Sequence, residues 1–449
     1  MVLRTGLRTG LLALAVALCA TAARADAVLL VEASTGKVLH AENATYPWYP
    51  ASVTKLMTAY TALSAVREGR LTLDTLLPVT RNAVAQAPTK MGFKLGTEVT
   101  LDNALKMIMV KSANDVSVTI AEGVGGSIEG FADMMNANSR KLGMTQSNWV
   151  NPNGLPAENQ ITSARDMAIL ARALIREFPQ YQHYWSISSI RYGRRIYRNY
   201  NTLIDRYPGA DGMKTGFICA SGFNLVASAS RNGRRLIAVV FGSYSSAVRA
   251  QKAAQLLENG FNNSGLSWLT PSLGTVEQLK PIDAQPPNLR EEMCGAHRRK
   301  PPSEENDEEQ AATGDSSEQN YQLSALKPAH EKFVLGPALI QPEPIVVFTG
   351  PPGNPDQVEQ TAAPAKKAKK AVAKKDDAAP AESKDAKPKT AAKKDAAAPA
   401  ENKDAKPKTT AKKDGAAPKE AKKDGEAAKP AAKKPAPKKD KAAAAAPAQ

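Results

Sequence analysis

After Val372 the chain contains no aromatic or large aliphatic residue, so nothing from there to Gln449 can contribute to a hydrophobic core. Its place is taken by Ala, Lys, Pro, Asp and Glu in an imperfect repeat, in which Ala379-Pro380-Ala381-Glu382-Ser383-Lys384-Asp385-Ala386-Lys387-Pro388 recurs from Ala398. Residues 361–449 are therefore expected to be a disordered, partly extended basic tail. The same division explains the net charge of +16: 25 lysines against 12 acids put +13 in 361–449, and three arginines lie within the first 25 residues. Residues 26–360 are left neutral, which removes the electrostatic argument for a nucleic-acid partner.

The other end carries an address. Arg4 and Arg8 precede the apolar run Leu11 to Ala22, and Ala23-Arg24-Ala25 offers small residues where a signal peptidase reads. Residues 1–25 are expected to be a signal peptide cleaved before Asp26, with export to the periplasm or cell envelope and no transmembrane helix remaining. The run falls well short of the roughly 20 apolar residues that span a bilayer, and Leu18 is too bulky for a lipoprotein signal at Cys19. Loss of Cys19 leaves Cys219 and Cys294. An oxidising compartment permits their bond, but Cys294 lies in a polar segment that enforces no pairing, so two free thiols are expected. His40, His183, His297 and His330 are scattered, so no metal and no cofactor are expected.

Between these ends the pattern predicts one α+β domain over 26–275. Ala27 to Glu32 reads as a strand, with Lys37-Val38-Leu39-His40 as its hairpin partner. A helix begins near Ser52, with Val53, Leu56, Met57, Tyr60 and Leu63 on one face. Residues 102–178 read as mainly helical: a helix capped by Asp102, a break at Lys111-Ser112-Ala113-Asn114, a helix from Ser127 stopped by Gly143, and another capped by Thr162. The period then changes. Gly222 to Ala229 and Arg235 to Phe241 flank Arg231-Asn232-Gly233-Arg234, a strong hairpin signal, and Ser246 to Phe261 closes the domain as a helix. The expected fold is an antiparallel sheet flanked by helices, with a mainly helical subdomain. Residues 276–360 are rich in Pro, Glu and Gln and are expected to be a largely disordered linker.

Ser52 and Lys55 stand three apart at a helix start, within reach of each other. A lysine desolvated there can lose its proton near neutral pH and take the serine's. Alone the pattern is weak, because Ser34-Thr35-Gly36-Lys37 and Ser324-Ala325-Leu326-Lys327 fit it too. It gains weight from Ser112-Ala113-Asn114, at a helix break, and Lys214-Thr215-Gly216, entering a strand, which follow in order.

That trio resembles the penicillin-binding, serine-type D-Ala-D-Ala carboxypeptidases, whose motif set is a general one shared with β-lactamases. The resemblance covers about residues 26–262 and includes Ala51-Ser52-Val53-Thr54-Lys55, Asn151-Pro152-Asn153-Gly154-Leu155, Thr162-Ser163-Ala164-Arg165-Asp166 and Asp211-Gly212-Met213-Lys214-Thr215-Gly216. It implies removal of the terminal D-Ala from peptidoglycan stem peptides, with β-lactams as covalent inhibitors. Ser52 would be the nucleophile, Lys55 the general base, Ser112 a proton relay and Asn114 a holder of the substrate amide. Lys214, Thr215 and Gly216 would line the substrate strand, Arg249 would lie near the substrate carboxylate, and the backbone N–H groups of Ser52 and Phe217 would form the oxyanion hole. Phe217 departs from relatives with a polar residue there. The β-rich second domain and membrane-surface helix of better-known relatives are not evident, and the tail is expected instead to contact anionic envelope surfaces.

Three other readings compete. A D,D-endopeptidase uses the same chemistry on cross-linked peptides. A β-lactamase needs rapid deacylation, for which Glu158 lies in a suitable interval but in family-like surroundings. A non-catalytic envelope-binding protein has no use for all six polar motif residues.

Overall fold

Strand β9 (Arg234–Ser243) is apolar without interruption from Leu236 to Phe241, and a strand of that kind must be covered on both faces. It is. The computed structural model, which describes residues 26–262, 272–296, Glu304, 335–337 and 342–353, sets it at the centre of a five-stranded sheet in the order Val38–Glu42, Ala27–Glu32, Arg234–Ser243, Gly222–Arg231, Ala210–Ile218. The strands are β1 (Ala27–Glu32), β2 (Val38–Glu42), β7 (Ala210–Ile218) and β8 (Gly222–Arg231), all antiparallel to their neighbours. The β8–β9 turn has Asn232 and Gly233 both at positive φ, 52° and 74°, the geometry that its Asn-Gly pair favours.

Alternate residues of β9 serve two cores. Ile237, Val239 and Phe241 face the helical side, joined by Leu29, Val31 and Val226. Leu236, Ala238 and Val240 face the other side, where Ala250, Ala253 and Leu257 of the closing helix Ser246–Asn262 cover them. The helical side holds α1 (Lys55–Arg67), α2 (Leu101–Val110), α3 (Asn114–Gly125), α4 (Ile128–Leu142) and α5 (Ala164–Glu177); the closing helix is α6. The small strands β3 (Leu76–Pro78) and β4 (Glu98–Thr100) pair with each other, and β5 (Ser189–Tyr192) pairs with β6 (Arg195–Arg198).

Local signals placed most of the long helices to within a residue or two, whereas the one expected from near Ser52 opens with a 3-10 turn and becomes α-helical only at Lys55. Ser127 caps α4 by accepting from Gly130 N, and Gly143 at φ 74° ends it. The caps of α2 and α5 differ from expectation: Thr100 rather than Asp102, and Ser163 rather than Thr162, accept the N–H three residues on. In each case the neighbouring hydroxyl sits on extended backbone, where an N-cap must be.

Two expectations need correction. Cys219 and Cys294 form a disulfide with Cα atoms 5.7 Å apart, because the segment carrying Cys294 packs onto the domain through Leu289 and Met293, both buried. The stretch 276–360 is not all linker: Val276, Leu289, Met293 and Val347 are buried, and Ile345–Val346 (β10) adds a parallel strand to β5. Few apolar residues suffice when they enter a core already formed by others. The expected signal peptide at 1–25 and basic tail at 361–449 lie outside the described residues. Among the described residues no helix is long and apolar enough to cross a membrane.

Candidate active site

The nucleophile candidate is held by its neighbours' backbone. Ser52 lies in the 3-10 turn Ala51–Thr54 that leads into α1. Asn224 of β8, fully buried, donates from Nδ2 to the carbonyls of Tyr49 (3.0 Å) and Pro50 (3.2 Å), while its Oδ1 accepts from Gly242 N at 3.2 Å. One carboxamide thus pins the approach to Ser52 onto two central strands. From the other side Gly216 of β7 lies against the turn so closely that a Cβ there would be 2.7 Å from Ser52 N.

Lys55 projects from the first turn of α1 into a wholly buried position. Its Nζ lies 3.0 Å from Ser52 Oγ, 2.8 Å from Asn114 Oδ1 and 2.8 Å from the Asn153 carbonyl. The last two oxygens can only accept. A neutral amine has two N–H groups and one lone pair, so those acceptors take both N–H groups and leave the lone pair facing the serine hydroxyl. Burial, and then the positive charge of Lys214, push the proton affinity of Lys55 well below that of an ordinary lysine, against the weaker pull of Glu304 and Asp115.

The Asn153 carbonyl is fixed by its own loop. Thr58 Oγ1 donates to Pro152 O at 2.6 Å, and Gly154 N donates to Asn151 Oδ1 at 2.8 Å. Gly154 has φ +82°, and a Cβ would lie 1.8 Å from Ala51 O, so only glycine fits between this loop and the serine turn.

Ser112 and Asn114 come from the α2–α3 junction. Ser112 has φ 59°, a costly conformation for a residue with a side chain, and its buried Oγ makes no hydrogen bond. Asn114 is not free to act on substrate alone. Its Oδ1 accepts from Lys55 and its Nδ2 donates to Ala87 O at 3.0 Å, which leaves one N–H for anything else.

Lys214, Thr215, Gly216 and Phe217 lie consecutively on β7, paired with Val226, Leu225, Asn224 and Phe223. Lys214 Nζ donates to Thr215 O at 3.1 Å. Burial lowers its pKa to about 8, with Glu304 opposing the shift and Arg249 adding to it. Phe217 packs on Phe223, ring centroids 4.3 Å apart. Arg249, only 2% exposed, reaches from α6 to donate to Asn224 O at 3.2 Å and Tyr200 O at 3.3 Å, and its guanidinium lies 5.5 Å from the Phe223 ring centroid.

A carboxylate already sits in this corner. Glu304 Oε1 accepts from Arg249 Nη1 at 2.6 Å, and the side chain is 9% exposed. Burial alone would raise its pKa, but Arg249 and Lys214 outweigh that and hold it below the ordinary value. The Thr215 hydroxyl makes no hydrogen bond of ordinary geometry, yet lies close enough to Glu304 to help keep it ionised.

Of the nine residues singled out from the sequence, Ser52, Lys55 and Asn114 are joined by hydrogen bonds, Gly216 packs on the Ser52 turn, and Lys214, Thr215 and Arg249 lie around Glu304; the Ser112 hydroxyl makes no hydrogen bond and Phe217 packs on Phe223. Three participants were not anticipated in these roles. Asn224 had a signal, a polar residue within the apolar strand Phe223-Asn224-Leu225-Val226. Asn153 acts through its backbone, which residue type does not encode. Glu304 stands in the acidic run Glu304-Glu305-Asn306-Asp307-Glu308-Glu309, where composition does not distinguish it.

A buried lysine whose lone pair faces a serine hydroxyl, beside the buried Lys214–Arg249 corner, is a residue set suited to serine acyl transfer, here in an antiparallel α+β fold. A family profile described as D-alanyl-D-alanine carboxypeptidase matches residues 15–245. The D-alanyl-D-alanine carboxypeptidase DacD of Salmonella typhimurium is 37% identical over 246 residues, 53% of this chain and 63% of that relative. DacF of Bacillus subtilis is 33% identical over 267 residues, 57% of this chain and 67% of its own length. The crystal structure of penicillin binding protein 6B from Escherichia coli superposes with TM-score 0.51 at 36% identity, covering 53% of this chain and 77% of that one. The chain belongs to the D-alanyl-D-alanine carboxypeptidase family, and it spans less than two thirds of the length of its Salmonella relative.

Proposed function

We propose that the protein is a serine-type D-Ala-D-Ala carboxypeptidase that removes the terminal D-Ala from peptidoglycan pentapeptides, and that β-lactams acylate it at Ser52. The observation that carries this reading is the hydrogen-bond set of Lys55, whose two carbonyl acceptors leave its lone pair for the Ser52 hydroxyl. Ser52 Oγ bonds to the carbonyl carbon between the two D-alanines while its proton passes to Lys55 Nζ. The negative oxygen is received by the backbone N–H groups of Ser52 and Phe217. Ser112, whose hydroxyl has no competing partner, relays a proton to the leaving D-Ala nitrogen as the C–N bond breaks. Water then hydrolyses the ester. Arg249, Lys214 and Thr215 hold the terminal carboxylate, a role supported by the Arg249–Glu304 ion pair and by the Lys214 charge and Thr215 hydroxyl close beside it.

Export to the periplasm or cell envelope fits this substrate, and the basic tail would keep the enzyme near anionic surfaces through a salt-sensitive attraction. Retention of the full mature chain on envelope fractions should therefore fall as salt is raised; salt-independent retention would refute the tail's role.

The decisive experiment incubates the mature protein and a Ser52→Ala variant with benzylpenicillin, follows intact mass, and measures D-alanine release from a pentapeptide. A penicilloyl adduct and D-alanine release, both lost in the variant, are expected. Absence of both in the unsubstituted protein would overturn the assignment.

A further inference from the structure

The carboxylate of Glu304 occupies the position that the proposed function gives to the substrate. Its partners, Arg249, Lys214 and the Thr215 hydroxyl, are those assigned to the terminal carboxylate of a stem peptide or the carboxylate of a β-lactam. We propose that Glu304 is a built-in competitor, an intramolecular carboxylate that must leave the Arg249–Lys214 corner before an acyl donor can bind. The inference rests on the acyl-transfer reading above and adds regulation to it.

Three observations carry it. The first is stoichiometric. Arg249 is held by the carbonyls of Asn224 and Tyr200, and Nη1 is shared between Asn224 O and Glu304 Oε1. A second carboxylate cannot reach that nitrogen while Glu304 is on it, and two anions in one buried corner repel strongly. The second is burial. Arg249 is 2% exposed and Glu304 9%, so the pair is largely withdrawn from solvent rather than a screened surface contact. The third is electrostatic. Glu304 raises the proton affinities of both Lys55 and Lys214, opposing the burial that lowers them. A substrate carboxylate in the same corner would act on both lysines in the same sense, as expected of two carboxylates that compete for one position.

Glu304 lies 55 residues from Arg249 along the chain, so their encounter is intramolecular and concentration-independent. Tethered groups of this kind experience effective concentrations in the millimolar range. An effective concentration about ninefold above the contact's own dissociation constant keeps the carboxylate bound about 90% of the time and raises the apparent KM about tenfold. An incoming donor offers further contacts that a lone side chain does not, so a high local density of stem peptides displaces Glu304 and dilute substrate does not. The enzyme would act where nascent or uncross-linked wall is abundant and idle elsewhere.

The test uses the full mature chain and Glu304→Gln, which keeps the shape and removes the charge, with Glu304→Ala as a second variant. The second-order rate constant for acylation by benzylpenicillin, the limiting acylation rate at saturation, and KM for a D-Ala-D-Ala tripeptide are measured for each, with a melting curve to confirm folding. Both variants are expected to raise the second-order constant and lower KM by about tenfold, with a smaller change in limiting rate. Equal constants in all three proteins, or slower acylation in the variants, would overturn the competitor while leaving the carboxypeptidase intact. Absence of a Ser52-dependent adduct in every protein would overturn the acyl-enzyme reading, and the competitor with it.

Discussion

Gly216→Ala tests whether the contact between β7 and the serine turn positions the catalytic amides. An added Cβ would lie 2.7 Å from Ser52 N, 2.9 Å from Val53 N and 3.2 Å from Ala51 Cβ, against 3.4 Å for ordinary contact. The first two atoms are backbone of a turn held by Asn224, so they cannot swing aside as a flexible side chain would. Strand and turn must part by about 0.7 Å at that point to restore ordinary contact. The two amides proposed to receive the oxyanion, those of Ser52 and Phe217, lie on opposite sides of this opening. Removing one such donor costs 10²–10³-fold, and a misplacement near 1 Å costs about 10²-fold. Acylation by benzylpenicillin should therefore slow by about 10²-fold, equivalent to about 2.7 kcal/mol of lost transition-state stabilisation. Overpacking should cost a further ~1–3 kcal/mol of folding stability. Quenched-time intact mass gives the acylation rate, and a melting curve confirms that the variant is folded at the assay temperature. A folded Gly216→Ala protein that acylates within about twofold of the unsubstituted enzyme would refute the claim that this contact sets the amides.

Asn224→Ala removes the clamp on the Tyr49 and Pro50 carbonyls, leaves Pro50 O with only the long bond from Val53 N, and takes the side-chain acceptor from Gly242 N. A stability loss of about 2–4 kcal/mol and a fall in limiting acylation rate larger than any change in KM are expected; unaltered kinetics in a folded protein would reject the positioning role. The pH dependence follows from two lysines flanked by Arg249, Glu304 and Asp115. As pH falls through the lowered pKa of Lys55 the base becomes protonated and acylation slows, while above about 8 Lys214 loses its charge and carboxylate binding weakens. The second-order constant should thus decline above about pH 8 with little decline in the limiting rate; a rise through that region would contradict the assignment of Lys214. The Cys219–Cys294 bond closes a separation of 75 residues, worth about 4 kcal/mol in the chain-entropy account. Replacing both by Ser should lower stability by about 2–4 kcal/mol, and the mature protein should react with a thiol reagent only after reduction; two reactive thiols before reduction would disprove the bond.

Much of this molecule was legible in its residues because the signals are local. The Asn232-Gly233 turn, the uninterrupted apolar run of β9, the Ser127 and Gly143 helix ends and the coreless sequence after Val372 each rest on steric or solvation rules acting over a few residues. Ser52 and Lys55 could be paired on helix spacing alone. The sequence by itself determined the α+β class and most of the strands and helices between Ala27 and Asn262. Only the tertiary structure decided the rest, because those features depend on atoms distant along the chain. The partnership of Cys219 with Cys294, the docking of Val276 and Val347, and the caps at Thr100 and Ser163 depend on backbone conformation and on surfaces built by other segments. The lone pair of Lys55 is directed by a side-chain carbonyl 59 residues away and a backbone carbonyl 98 residues away. Glu304 is one acid among many in sequence and becomes singular only beside Arg249, where burial makes a single charge pair count.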